Sequence, residues 1–159
     1  MHVLGIDPGI ERTGFAVLEF DKKGAIHVLD CGQIFTDKKF PLPARLQQLS
    51  QDLKTIIAQW KPVAAGIEQI FFSKNVKTAI TVSHARGVII EVLEDYGVAI
   101  FELNPGQIKL AVAGHGKATK QEIKKMIQCT LGISLKNDDT ADAIAAGICL
   151  LTVHRNEIL

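Results

Sequence analysis

The chain has 159 residues, a formal net charge of +1 at pH 7 and a hydrophobic fraction of 47%. This length and hydrophobic content are typical of one folded domain with a buried core, and they exclude a disordered chain. The balanced charge excludes a uniformly basic surface, and no apolar stretch approaches the roughly 20 residues of a membrane-spanning helix. We therefore expect a single domain over residues 1–159 with no membrane partner, in which any basic surface comes from local clustering.

Three cysteines, Cys31, Cys129 and Cys149, are widely spaced among apolar neighbours. An odd number with this spacing favours reduced thiols over a disulfide framework or a metal site. The first residues enter a strand pattern directly, without the basic segment and cleavage site of a signal peptide. Both observations predict a cytoplasmic protein.

The first part of the chain is predicted to form three strands and a long helix. The strands are expected at residues 2–7, Thr13–Phe20 and Ala25–Phe35, and the short turns between them contain glycine or lysine. This pattern favours an antiparallel meander. Apolar residues then recur every three or four positions from Leu42 to Trp60, which predicts an amphipathic helix.

The rest of the chain alternates between apolar strand patterns and helical patterns. Strands are expected at 63–67 and 98–103, and helices at 77–95, 105–112, 119–130 and from Asp138 or Asp139 onward. A meander followed by strand and helix alternation predicts an α/β or α+β fold. The sheet should be mixed and antiparallel at one side.

Carboxylates occur where several of these apolar segments end or begin. Asp7 follows VLGI, and Glu68 follows VAAGI. If these two strands are neighbours, both carboxylates emerge at one edge of the sheet. Asp139 and Asp142 are three residues apart, so they share one face of the last helix, whose apolar remainder must pack on the sheet. Taken singly, each residue is also explained as a turn former or a helix N-cap.

Four carboxylates that converge within a few ångströms carry a charge of about −4 and must share protons or bind cations. Two Mg²⁺ ions would nearly balance that charge, and Mg²⁺ favours a few carboxylate oxygens together with water and phosphate. Two such ions can activate water and stabilise the leaving oxygen in phosphodiester cleavage. Convergence of these residues would therefore indicate a metal-dependent nuclease.

Four segments resemble the RuvC-type Holliday junction resolvases. They are GIDPG with the following TG, IEQIFFSKN, the ARG inside the next helix, and DDTADAIAAG near the C-terminus. Their order and spacing agree with that family from residue 2 to about residue 153. The resemblance implies an α/β, RNase H-like fold with a central five-stranded mixed sheet and helices on both faces. It also implies an endonuclease of recombination and repair that cuts four-way DNA junctions as a homodimer.

The resemblance assigns roles residue by residue. It implies that Asp7, Glu68, Asp139 and Asp142 are catalytic and bind two Mg²⁺ ions, for which Mn²⁺ can substitute. Asp138 is a local rival of Asp139, and the D-x-x-D spacing of the family favours Asp139, at a position where the family also has His. The implied products carry 5′-phosphate and 3′-hydroxyl ends, and the implied partners include a branch-migration motor.

Basic residues form two local groups. Five lysines and one acid lie between Lys109 and Lys125, and a second group follows Glu68. Such groups are often only solvated faces, but their place in the chain favours contact with DNA phosphates. Lys109 and Lys120 match DNA-contacting lysines of the family by resemblance. The candidate DNA contacts are Lys74, Lys77, Arg86, Lys109, Lys117 and Lys120.

Two adjacent aromatic residues, Phe71 and Phe72, follow Glu68 closely. Both cannot face inward on an extended segment, so one is expected to be exposed. Loop packing explains such a residue, and so does a wedge that stacks on bases at the crossover. The family resemblance favours Phe71 as the wedge.

Symmetric nicks in two strands require two active sites, which a two-fold homodimer supplies. The predicted helix at 77–95 is apolar over more than half its circumference. One side can cover the sheet while another contacts the partner subunit, so this helix is the predicted dimer contact.

Three other functions fit parts of the pattern. GIDPG also resembles the first phosphate loop of actin-like kinases and ATPases, but 159 residues leave no room for their second domain. A non-catalytic DNA-binding module would not need all four carboxylates. A related RNase H-like nuclease that acts on other branched DNA or RNA is the remaining alternative.

Overall fold

The computed structural model describes residues 1–21, 23–69, 76–135 and 137–158, with residues 76–78 described by their backbone alone. A five-stranded sheet forms the centre of the protein, in the order β3-β2-β1-β4-β5. The strands are β1 His2–Asp7, β2 Arg12–Phe20, β3 Ile26–Phe35, β4 Ala64–Glu68 and β5 Ala99–Leu103. β1, β2 and β3 form the predicted antiparallel meander, while β4 is parallel to both β1 and β5. The predicted mixed sheet is confirmed.

Five helices of nine or more residues and one short terminal helix surround the sheet in the described residues. They are α1 Leu42–Trp60, α2 Val76–Asp95, α3 Pro105–Ala113, α4 Lys120–Leu131, α5 Asp138–Val153 and α6 Arg155–Ile158. Side-chain oxygens of Asn104, Thr119 and Asn137 accept hydrogen bonds from the first turns of α3, α4 and α5. The N-cap of the last long helix is thus Asn137, which corrects the alternative that Asp138 or Asp139 serves only as the cap.

The helices cover both faces of the sheet, because alternate residues of each strand point to opposite faces. On β1, Leu4 and Ile6 pack in the cluster that includes buried residues of α1 and α2. Val3 points to the opposite face of β1 and packs in the cluster that includes buried residues of α3, α4 and α5. The buried residues of α1 are Leu49, Leu53 and Ile57, whereas Ile56, an apolar position of the helical pattern, is only partly buried.

Helix α5 lies unusually close to the sheet because glycines form the contact. A Cβ atom built on Gly5 of β1 would lie less than 3.0 Å from Ala143 O and Gly147 N of α5. Gly147 in turn faces the side chain of Leu18 on β2. A larger residue at Gly5 would require the backbone to move, and one at Gly147 would displace the Leu18 side chain, so the glycines determine how closely α5 packs on the sheet. Among the described residues, no helix combines the length and apolarity that crossing a membrane requires.

Candidate active site

The parallel pairing of β1 and β4 brings the first two carboxylates to one edge of the sheet. Ile6 is in register with Ile67, so Asp7 and Glu68, the next residue of each strand, end neighbouring strands at the same side. The strand patterns alone predicted that both segments end in a carboxylate. The structure confirms that these segments are adjacent.

The other two carboxylates arrive on the first turns of α5. The carbonyl group of Asp139 lies directly over Gly14 of β2, where a Cβ atom would come closer than 3.0 Å to the Asp139 oxygen. Gly14 is itself the cross-strand partner of Asp7. Seating of α5 on this glycine therefore carries Asp139, and Asp142 one turn later, to the edge that holds Asp7 and Glu68.

All four predicted carboxylates line one cavity of about 260 Å³. Its lining also includes Lys109 of α3 and Lys120 of α4, and the apolar side chains of Ile108 and Ile123 form part of its wall. The acidic residues that line this cavity are the four that the sequence predicted, Asp7, Glu68, Asp139 and Asp142.

The electrostatic environment of the cavity favours binding of protons or cations to its carboxylates. Burial, followed by the negative charges of Asp142, Glu68 and Asp139, raises the pKa of Asp7 from 3.8 to about 7. Burial and the charge of Asp142 also raise the pKa of Glu68, against the opposing effect of two lysines. Burial and neighbouring negative charge thus disfavour the ionised forms of Asp7 and Glu68, which is the condition under which a cation binds favourably.

Lysines supply part of the missing positive charge. Lys120 Nζ donates a hydrogen bond of 2.8 Å to Asp142 Oδ2. This bond, together with the charges of Asp142 and Asp7, raises the pKa of Lys120, which therefore stays protonated at neutral pH. Its side chain is 74% exposed, so the ammonium group borders both the carboxylates and the solvent from which a phosphate would arrive.

The two adjacent acids at the start of α5 have different surroundings. Asp138 pairs with Lys124 of α4 at 3.2 Å, and its side chain is 68% exposed. Asp139 lines the carboxylate cavity and accepts a hydrogen bond from the Gln33 side chain of β3. The structure therefore favours Asp139 as the member of the site.

This difference predicts unequal effects of two neighbouring substitutions. Asp139→Asn is expected to slow DNA cleavage by about 100-fold or more, because it removes a carboxylate from the cavity. Asp138→Asn removes the same charge one residue earlier and should leave the rate within about twofold, since surface ion pairs contribute little. Single-turnover cleavage rates at saturating Mg²⁺ measure both. Equal losses in the two variants would contradict the assignment.

The donor set fits divalent cations with a preference for oxygen. In the part of the chain that the structure describes, no three His, Cys, Asp or Glu side chains are already gathered as ligands of one ion. The four carboxylates instead face a common cavity, where burial and the charges of the other three acids raise the pKa of Asp7 to about 7 against the opposing effect of Lys120. Carboxylates around a space open to water and phosphate are the environment that Mg²⁺ and Mn²⁺ favour.

The predicted DNA contacts occupy several different environments. Lys109 and Lys120 border the cavity, and Lys117 is exposed in the turn between α3 and α4. Arg86 donates a hydrogen bond to Glu102 of β5, and its side chain is only 17% exposed, so contact with a phosphate would require it to leave that partner. Lys77 lies in the first turn of α2, where side chains are not described. Phe71 and Lys74 lie outside the described residues.

Two features near the site were missed by the sequence analysis. Gln33 contacts Asp139, although 106 residues separate them. A second cleft, of about 510 Å³, lies between the loop from Gly9 to Arg12 and α2, and it shares Asp139 with the carboxylate cavity. Neither has a local sequence signal, because each depends on which strands and helices are neighbours.

A family model described as crossover junction endodeoxyribonuclease RuvC matches residues 3–150. The chain belongs to the RuvC family. Curated RuvC proteins of Chloroflexus aggregans and Caldicellulosiruptor saccharolyticus are 42% and 43% identical to it over 151 residues. Each alignment covers 94% of this chain, and it covers 92% of the first relative and 91% of the second.

Solved structures agree with this assignment. Thermus thermophilus RuvC in complex with a Holliday junction substrate has a TM-score of 0.91 and 28% identity, covering 99% of this chain and 97% of that one. The yeast mitochondrial Holliday junction resolvase Ydc2 has a TM-score of 0.66 at 16% identity and covers 98% of this chain and 84% of its own, which supports the fold alone. The RNase H-like fold and the RuvC resemblance inferred from the motifs are therefore confirmed.

Proposed function

We propose that this protein resolves four-way (Holliday) DNA junctions by cutting two strands symmetrically, in homologous recombination and DNA repair. The observation that carries the proposal is the single cavity at the sheet edge, where carboxylates from three distant segments meet beside two lysines. Membership of a family of crossover junction endodeoxyribonucleases supports the substrate. The raised pKa of Asp7 supports dependence on a divalent cation.

The proposed roles of the carboxylates and lysines in the cavity follow from their charges. Asp7, Glu68, Asp139 and Asp142 would hold two Mg²⁺ or Mn²⁺ ions, which supply an activated water and stabilise the departing 3′ oxygen. Without bound cations the carboxylates would repel the scissile phosphate, so the phosphate would enter only a cation-loaded cavity, whose wall includes the apolar side chains of Ile108 and Ile123. Lys109 and Lys120 balance the charge of the phosphate as it enters. The products would carry 5′-phosphate and 3′-hydroxyl ends.

The remaining DNA contacts are proposed from charge and position. Lys109 of α3 is partly covered and borders the cavity, and Lys117 is exposed in the turn between α3 and α4. Contacts of Lys74, Lys77 and Arg86 with phosphates, and of Phe71 with the bases at the crossover, stay predictions. Phosphate contacts of this kind position a duplex without reading its sequence and make binding depend strongly on salt.

We also propose a homodimer formed through α2. The sheet-facing side of this helix buries Ala85, Ile89 and Val92, while Ile80 is 52% exposed on another side. An apolar side chain beyond the core-facing stripe suits contact with a second copy. A two-fold pair of active sites would match the paired cuts. A cytoplasmic location and a branch-migration motor as partner belong to the same proposal.

One experiment tests the proposed reaction. The protein is titrated with Mg²⁺ in the presence of a synthetic four-way junction, a linear duplex of the same sequence, or ATP. Paired nicks that DNA ligase can seal are expected in the junction only, and none in EDTA, since uncompensated carboxylates repel the phosphate. Cleavage of the linear duplex at a similar rate, or ATP hydrolysis without DNA cleavage, would contradict the proposal.

A further inference from the structure

Gln33 lies in a row of residues that crosses three strands and ends at the active site. On β3 it is the cross-strand partner of Gly14, and Gly14 on β2 is the partner of Asp7. The backbone of Asp139 sits over Gly14. Because Gly14 has no side chain, the space above it is left to the start of α5, and Gln33 reaches Asp139 from the neighbouring strand.

The contact is a hydrogen bond with only one possible polarity. The Gln33 amide nitrogen donates to Asp139 Oδ2, since the NH2 group of an amide donates hydrogen bonds and does not accept them. A donor fixed on one oxygen restricts rotation of the carboxylate and leaves the lone pairs of the other oxygen unclaimed by this bond. Amide and carboxyl partners of this kind orient the groups that ligate metal ions.

The bond is not needed to build the elements that it joins. The first turn of α5 is already capped by Asn137, whose side chain accepts from Thr140 N at 3.0 Å. The β2–β3 ladder is formed by backbone pairing along the whole of both strands. What the amide adds is the orientation of one carboxylate in the cavity.

We propose that Gln33 is a positioning residue of the active site, which orients Asp139 to accept a divalent cation through the hydrogen bond between their side chains. This inference rests on the proposed function, because it assigns Asp139 a cation. The hydrogen bond already restricts rotation of the Asp139 carboxylate before a cation binds, so binding costs less conformational entropy. Removal of the amide should therefore weaken cation binding and leave the fold intact.

The test compares Gln33→Met with a matched control, Gln48→Met. Met keeps the length and approximate volume of Gln but cannot donate. Gln48 Nε2 donates to Asp52 Oδ1 at 2.8 Å on the exposed side of α1, so its replacement removes the same kind of bond far from the cavity. Mn²⁺ affinity is measured by isothermal titration without DNA, and the Mg²⁺ dependence of junction cleavage is measured separately.

Gln33→Met is expected to bind Mn²⁺ about 10-fold more weakly than the parent and to need correspondingly more Mg²⁺ for half-maximal cleavage. Its maximal rate at high Mg²⁺ should recover to near the parent value, and Gln48→Met should match the parent throughout. A structural role would lower the maximal rate without changing the Mg²⁺ requirement, and that result would overturn the inference. So would unchanged Mn²⁺ affinity in Gln33→Met.

A second variant covers the case in which Gln33→Met does not fold. Gln33→Asn keeps a polar amide at this partly exposed strand position but is one methylene shorter, and the same loss of Mn²⁺ affinity is expected. Parent-like affinity in the folded Asn variant would contradict the role. If the parent itself bound no Mn²⁺, the proposed metal site would fail together with this inference, whereas a binding parent with an unaffected Gln33→Met would refute the inference alone.

Discussion

Asp7→Asn is expected to slow junction cleavage by about 1000-fold or more while junction binding in the presence of Ca²⁺ stays within about twofold of the parent. Asp7 lines the carboxylate cavity, where burial and then the charges of the other three acids raise its pKa to about 7. Asn removes one negative charge with almost no change of shape, so a cation would lose a ligand while Lys109 and Lys120 at the cavity keep their positions. Single-turnover rates and gel-shift titrations measure the two quantities.

The same substitution should stabilise the protein when no metal is present. The pKa of Asp7 is raised from 3.8 to about 7, so the folded state binds a proton more tightly than the unfolded state. The parent therefore loses stability as the pH rises from about 4 through about 7, by at most about 4 kcal/mol, since one pKa unit corresponds to about 1.4 kcal/mol. Asn does not titrate and escapes this loss.

Thermal unfolding in EDTA separates the two effects. The midpoint of Asp7→Asn should exceed that of the parent at pH 8, and the difference should shrink at pH 5, where Asp7 of the parent is protonated. Asp138→Asn is the control, because it removes a carboxylate that pairs with Lys124 at the surface. Substantial cleavage by Asp7→Asn would remove Asp7 from the metal-binding set. An unfolding midpoint of Asp7→Asn below that of the parent at pH 8 would contradict the electrostatic explanation.

Gly5→Ala is expected to lower the free energy of unfolding by about 3 kcal/mol or more. The added Cβ would lie within 3.0 Å of Ala143 O and Gly147 N, and both are backbone atoms that cannot rotate away. Either β1 or α5 must move, and α5 carries Asp139 and Asp142. The folded fraction should therefore also cleave more slowly. Urea unfolding followed by circular dichroism measures the loss.

Gly116→Ala is the matched control for that substitution. Gly116 lies in the turn after α3, and the nearest atom to an added Cβ there is Gly106 O at 3.8 Å, an ordinary contact distance. Its unfolding free energy should stay within about 0.5 kcal/mol of the parent. If Gly5→Ala were as stable as Gly116→Ala, the close seating of α5 on β1 would not be the constraint that places the two aspartates.

Much of the fold could be predicted from local patterns. The helix from Leu42 to Trp60 was predicted with the bounds that the structure has, because its apolar residues recur with a helical period. The strand ends at Asp7 and Glu68 were visible as the points where apolar runs stop. The dimer contact, the roles of the individual lysines and the wedge role of Phe71 stay predictions.

The sequence by itself determined which residues carry charge at the ends of apolar segments, because hydrophobic periodicity is a local property of the chain. It favoured Asp139 over Asp138 only through the D-x-x-D spacing of the family, and it gave no sign of Gln33. Only the tertiary structure decided which side chains share the cavity with Asp7 and that Gln33 contacts Asp139, through the register of β1, β2 and β3 and the packing of α5 on Gly5 and Gly14. The physical reason is that contacts between distant segments depend on strand order and backbone clearance, which no short stretch of sequence encodes.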